Sequence, residues 1–169
     1  MIVEVADEFG FNAKIEHLEQ RHGEAKYAYC NHDKAEQVLG FKDETDIKTL
    51  LENMLSLGPK MVIITDGPKG AYAYDGTEML TVPMYPDSKP PLDRTGAGDA
   101  TTSTVVAALS LGKPLSEALR WGLVNAMSVV QEIGAQKGLL TREKIEEYLA
   151  SAPMNFKASP FTSIGTSAN

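Results

Sequence analysis

At 169 residues, with 43% hydrophobic and 23% charged side chains, the chain has the make-up of a soluble globular protein of one domain with its own core. A formal net charge of −7 argues against a nucleic-acid or anionic-membrane partner, because phosphate-rich surfaces are met by a surplus of Lys and Arg. Cys30 is the only cysteine, so no intramolecular disulfide can form, and Glu4, Asp7 and Glu8 stand where a signal peptide carries positive charge. With no apolar run near the ~20 residues of a membrane helix, a cytoplasmic address is expected.

In chain order, residues 3–9, ended by Gly10, and 15–21 predict two short helices, and 26–30 a strand. His17 and His22 fall on different helical faces and His32 has no Cys or His at ligand spacing, so the histidines read as solvated rather than metal-binding. Asp43, Glu44, Thr45 and Asp46 offer several caps for a helix whose Ile47, Leu50, Leu51, Met54 and Leu55 form an apolar stripe, stopped by Gly58 and Pro59.

Residues 61–65 are a continuous apolar run, as expected of a strand buried on both faces in a parallel sheet, so helix plus strand reads as half a βαβ unit. The turn Thr65-Asp66-Gly67-Pro68-Lys69-Gly70 then lies either at a ligand-binding strand end or in a plain hairpin, with residues 71–74 as the returning strand. Asp75-Gly76 predicts a hairpin turn into residues 78–84. Pro86, Pro90 and Pro91 make residues 85–91 an extended connector, with Lys89 read as a solvated charge.

The connector delivers Leu92-Asp93-Arg94-Thr95-Gly96-Ala97-Gly98-Asp99-Ala100, followed by small and β-branched residues without a breaker. This pattern predicts a tight loop opening a helix, whose free N–H groups and dipole suit a phosphate. Asp99 reads as a capping acid or as the acceptor of a proton from an attacking hydroxyl. The helix, about 97–111, is small-residue rich and is expected to pack closely on a sheet. Gly112-Lys113-Pro114 ends it, and Ser116-Glu117 opens an all-round apolar helix, sandwiched between layers, that reaches Gly134 with Trp121 in the core. Thr141 caps a last helix over 142–150, and residues 151–169 read as a mobile tail.

Residues 92–100 resemble the C-terminal signature of the ribokinase-like, or PfkB, carbohydrate kinases, whose Asp-x-Thr-Gly-Ala-Gly-Asp string is matched at Asp93, Thr95, Gly96, Ala97, Gly98 and Asp99. The resemblance spans roughly residues 26–150 and implies an α/β fold: the C-terminal, ATP-binding half of a three-layer ribokinase-like sandwich, with the lid and N-terminal strands missing. Residues 1–150 are then a partial kinase domain whose first 25 residues are poorly defined.

The same resemblance implies ATP and Mg²⁺, with Asp99 as catalytic base and the N–H groups of Gly96, Ala97 and Gly98 as anion hole. It implies nucleotide contact at Asn31, Thr65, Gly67, Gly70 and Asn125, although Asn125 stands nearer Gly134 than the family's adenine-side Asn does. It also implies a K⁺ site at Asp93 and Thr95 with Gly134. Lys34 stands where the family carries Glu, which leaves a direct phosphate contact and a degraded site both open.

Two functions stand at this level. One is an ATP-dependent kinase acting on a hydroxyl of a sugar or nucleoside-like substrate, complete only as a homodimer or with an N-terminal portion that supplies the acceptor pocket. The other is a nucleotide-binding remnant or regulatory module without turnover. No G-x-x-x-x-G-K-[ST] loop and no H-R-D or D-F-G element occurs, and the glycine loop does not directly follow a first strand as a Rossmann fingerprint requires.

Overall fold

A computed structural model describes residues 40, 44–87 and 89–162. The chain divides into two compact units, Met1–Gly40 and Phe41–Asn169, and the described elements all belong to the second. The elements expected over residues 3–30, with Asn31, Lys34 and the three histidines, lie outside the described residues.

Helix α1 runs Ile47–Ser56, and of the candidate caps Asp46 is the one used: its Oδ2 accepts from the Thr49 amide at 2.9 Å and from the Thr49 hydroxyl at 2.8 Å. Strands β1 (Val62–Thr65), β2 (Ala71–Tyr74), β3 (Met79–Val82) and β4 (Ser159–Pro160) form one sheet in the order β1-β2-β3-β4, and among the described residues every pairing is antiparallel.

β1 and β2 form a hairpin, with residues 71–74 as the returning strand that the sequence offers. Ile63 and Ile64 are half-buried, Thr65 is exposed, and the Asp66 amide donates to the Gly70 carbonyl at 2.8 Å across a short reversal. A parallel pair needs a crossover of about a dozen residues or more, which the five residues between β1 and β2 do not supply. The second hairpin forms as predicted: Asp75 Oδ1 accepts from the Thr77 and Glu78 amides at 2.8 and 2.9 Å, with Gly76 at φ 87°.

Alternation along the strands separates two cores. Ala71, Ala73, Leu80 and Val82 face one side; Val62, Ile64, Tyr72 and Met79 face the other. The second face packs on Leu51 of α1 and on Phe161. The first packs on helices α2 (Ala97–Ser110), α3 (Leu115–Val129) and α4 (Arg142–Ala150). Helix, sheet and helices thus make three layers.

The small residues of α2 serve a different contact from the one expected: they let α3 come close. A Cβ on Gly122 would lie 2.7 Å from Val105 Cγ2 and 2.9 Å from the Thr101 carbonyl. Eleven of the fifteen residues of α3 are buried, Trp121 among them, which fits its reading as a helix between layers.

The tail expectation fails for residues 151–162. Phe156 is 2% exposed and packs edge-on against Tyr85 at 4.8 Å, β4 pairs with β3, and the Phe161 amide donates to the Met79 carbonyl at 2.9 Å. Two aromatic anchors outweigh a sequence of weak propensity.

Candidate active site

The signature loop is held from both ends. The Leu92 amide donates to the Val130 carbonyl at 2.8 Å, docking the loop on the end of α3. Asp93 Oδ1 accepts from the Thr95 hydroxyl at 2.7 Å and the Thr95 amide at 2.9 Å, while Oδ2 accepts from the Gly134 amide at 2.9 Å. The Thr95 hydroxyl, then the Thr95 and Gly134 amides, hold the Asp93 carboxyl below the usual carboxylate range. Asp93, Thr95 and Gly134 are thus joined in one bonded cluster.

Gly96 caps α2 in the left-handed region, φ 81° and ψ 0°, and a Cβ there would meet Ala135 Cβ at 2.5 Å. The Ala97 amide donates to the Arg94 carbonyl at 3.3 Å. Among the described residues the amides of Gly98 and Asp99 have no backbone partner, as the geometry of a helix start requires. Of the expected donors at residues 96–98 Ala97 is engaged, whereas Gly96 and Gly98, like Asp99, have no backbone partner among the described residues.

A cleft of about 530 Å³ opens beside this helix start. Ala97, Gly98 and Thr101 form one wall; Thr65, Gly67, Pro68 and Gly70 form another; Leu123, Ala126 and Val130 of α3 line its floor. The two glycine-bearing stretches, about 30 residues apart in sequence, meet here because the β1–β2 turn and the start of α2 reach the same end of the sheet layer. Gly70 has φ 99° and a Cβ on it would lie 2.0 Å from the Val82 carbonyl oxygen, so the turn closes only with glycine.

Asp99 is exposed and stands beside the cleft rather than in its wall. Successive helical residues are ~100° apart, so a helix presenting residues 98 and 101 to a cleft turns residue 99 away from it.

Asn125 is also placed differently. Only 4% exposed, it donates through Nδ2 to Thr104 Oγ1 at 2.7 Å and accepts at Oδ1 from the Leu140 amide at 2.9 Å, and it lies outside the cleft lining. Its amide joins α2, α3 and the approach to α4, as buried polar groups must find partners.

Sequence reasoning missed Asp87 and Arg94, which line the cleft together. Burial raises the Asp87 carboxyl above its usual range, and the charge of Arg94 draws it back. Arg94 sits inside the recognised string; the connector at Asp87 has no periodicity that could mark it.

With this geometry in view, comparison with known proteins is specific. A family model described as pfkB family carbohydrate kinase matches residues 5–142, and the chain belongs to that family. It is 35% identical over 100 residues to ribokinase from Bacillus subtilis, covering 59% of this chain and 33% of that protein. It is 35% identical over 108 residues to cytidine kinase from Thermococcus kodakarensis, covering 63% and 37%.

Among solved structures, a ribokinase II from E. coli in complex with ATP and Mg²⁺ shares 27% identity at a TM-score of 0.60, covering 68% of this chain and 37% of that one. The chain therefore spans about a third of the length of the relatives it matches. Among the described residues no helix is long and apolar enough to cross a membrane, and no three His, Cys, Asp or Glu side chains converge into a metal-binding group.

Proposed function

We propose that this chain is the nucleotide-binding part of an ATP-dependent phosphotransferase whose acceptor is a hydroxyl of a sugar or nucleoside. One observation carries the reading: the Thr65–Gly70 turn and the start of α2 line one cleft of about 530 Å³, within the ~300–1,000 Å³ of small-molecule sites. Leu123, Ala126 and Val130 offer an apolar floor for a flat base. The unpaired amides at Gly98 and Asp99 offer donors to phosphate oxygens, with Gly96 and Ala97 shaping the turn that presents them.

In the reaction an acceptor oxygen forms a bond to the γ-phosphorus, the bond to the bridging oxygen of ADP breaks, and the hydroxyl proton leaves. Asp99, exposed in the first turn of α2 next to Gly98, is the group assigned to take that proton from the attacking hydroxyl. The free first-turn amides steady the phosphoryl oxygens.

Mg²⁺ brought in with the nucleotide would be held by phosphate oxygens and would neutralise their charge. A monovalent cation such as K⁺ is assigned to carbonyls around Asp93, Thr95 and Gly134, three residues that the Asp93 carboxylate ties together. The acceptor pocket comes from a second copy or a complementing N-terminal portion, and the working compartment is the cytoplasm.

A second reading, nucleotide binding without turnover, is favoured by the position of Asp99 outside the cleft wall. Coupled ADP release over a panel of sugars and nucleosides, comparing the chain with Asp99→Asn, separates the two. Release lost in Asp99→Asn supports the kinase; Mg-ATP binding with no Asp99-dependent release rejects it for this chain alone.

A further inference from the structure

Arg94 lies three residues before α2 and lines the cleft beside Ala97 and Gly98. It is the only Lys or Arg among the described lining residues. Its backbone is fixed, since its carbonyl accepts from the Ala97 amide at 3.3 Å, yet its exposed side chain has no ion pair within 4.0 Å among the described residues. A guanidinium anchored at the root and untied at the tip can answer a ligand without first giving up a partner.

Asp87 sharpens the case. It is the one acid in the described lining, an exposed side chain that partial desolvation acts on and that feels the charge of Arg94. A carboxylate in that wall repels a polyphosphate, and the chain as a whole carries −7. Some local cation must offset both effects for a nucleotide to enter, and Arg94 is the described side chain placed to do so. The planar fork of Arg also matches two phosphate oxygens at once, which a Lys cannot.

From these observations we infer that Arg94 is a phosphate-binding residue of this cleft, exchanging its long-range attraction to Asp87 for direct bonds to the terminal phosphates of a nucleoside di- or triphosphate. The inference rests on the nucleotide reading above and assigns a residue to it.

The experiment is isothermal titration of the 169-residue chain with AMP, ADP and ATP, repeated on Arg94→Ala, Arg94→Lys and Asp87→Asn. Charge-assisted hydrogen bonds of this kind predict that Arg94→Ala weakens ADP and ATP roughly tenfold or more and AMP less than about twofold. Arg94→Lys, which keeps the charge and the fold, retains part of the ADP and ATP affinity, and Asp87→Asn tightens both. Equal weakening of all three nucleotides, or none, overturns the role of Arg94 while leaving nucleotide binding intact. An unmodified chain that binds none of the three overturns the nucleotide reading and the inference with it.

Discussion

The Asp93 carboxylate accepts from the Gly134 amide at 2.9 Å, joining residues 41 positions apart and locking the signature loop to the turn after α3. The other oxygen of the same carboxylate holds Thr95, so one side chain fixes both the path into α2 and the surface it rests on. A loop that must present free amides has few bonds of its own, and this anchor supplies them from outside.

Asp93→Ala therefore loosens the loop more than Asp93→Asn, which keeps one acceptor. Because the folded carboxyl titrates below its unfolded value, its contribution to stability is complete above the ordinary carboxylate range and is lost as pH falls through the folded value. Thermal unfolding followed from neutral pH into acid checks this: the gap between the parent chain and Asp93→Ala should narrow as the solution is acidified.

Gly70→Ala should destabilise by about 2 kcal/mol or more, since the new Cβ would sit 2.0 Å from the Val82 carbonyl oxygen at φ 99°. Gly98→Ala has nothing within 4 Å of its Cβ and should leave the melting temperature within a few degrees of the parent while crowding the cleft. Denaturant titration of the two variants side by side measures the contrast.

Asn125→Ala should cost about 1–3 kcal/mol, because the Leu140 amide loses its acceptor and the Thr104 hydroxyl its donor inside the protein. Nucleotide affinity of the folded variant should match that of the parent, as Asn125 lies outside the cleft lining. A variant of unchanged stability and lost affinity would return Asn125 to the binding site.

Phe156→Ala should cost about 3–5 kcal/mol, typical of removing a large buried ring. Its partners Tyr85 and Arg120 lie under the connector and on α3, so the loss should also broaden the unfolding transition read by Tyr fluorescence.

Residues with only one conformational solution were the ones legible beforehand. Gly96 and Gly70 need positive φ and have no room for a Cβ, so the strings containing them pointed to turns, while the cleft they share shows only in the fold. Asp75-Gly76 and the Asp46 and Thr141 caps read correctly for the same local reason. The apolar run at residues 61–65 was ambiguous because burial on one face or two uses the same residues, and only the length of the following turn decides the pairing.

Phe156 and Phe161 were overlooked because their partners Tyr85 and Tyr72 are more than 70 residues away, and nothing local marks such contacts. Asp99 stands apart for a related reason: the string names the residue, while what a first-turn side chain faces depends on how α2 packs.

Backbone amide shifts of the ¹⁵N-labelled chain during titration with ADP and Mg²⁺ test the central relationship most directly. If the start of α2 and the β1–β2 turn hold the nucleotide between them, Gly98, Asp99, Gly67 and Gly70 move together and saturate at one ligand concentration, while Gly112 stays in place. Shifts confined to residues outside that cleft, or none at these four amides at saturating ADP, would contradict it.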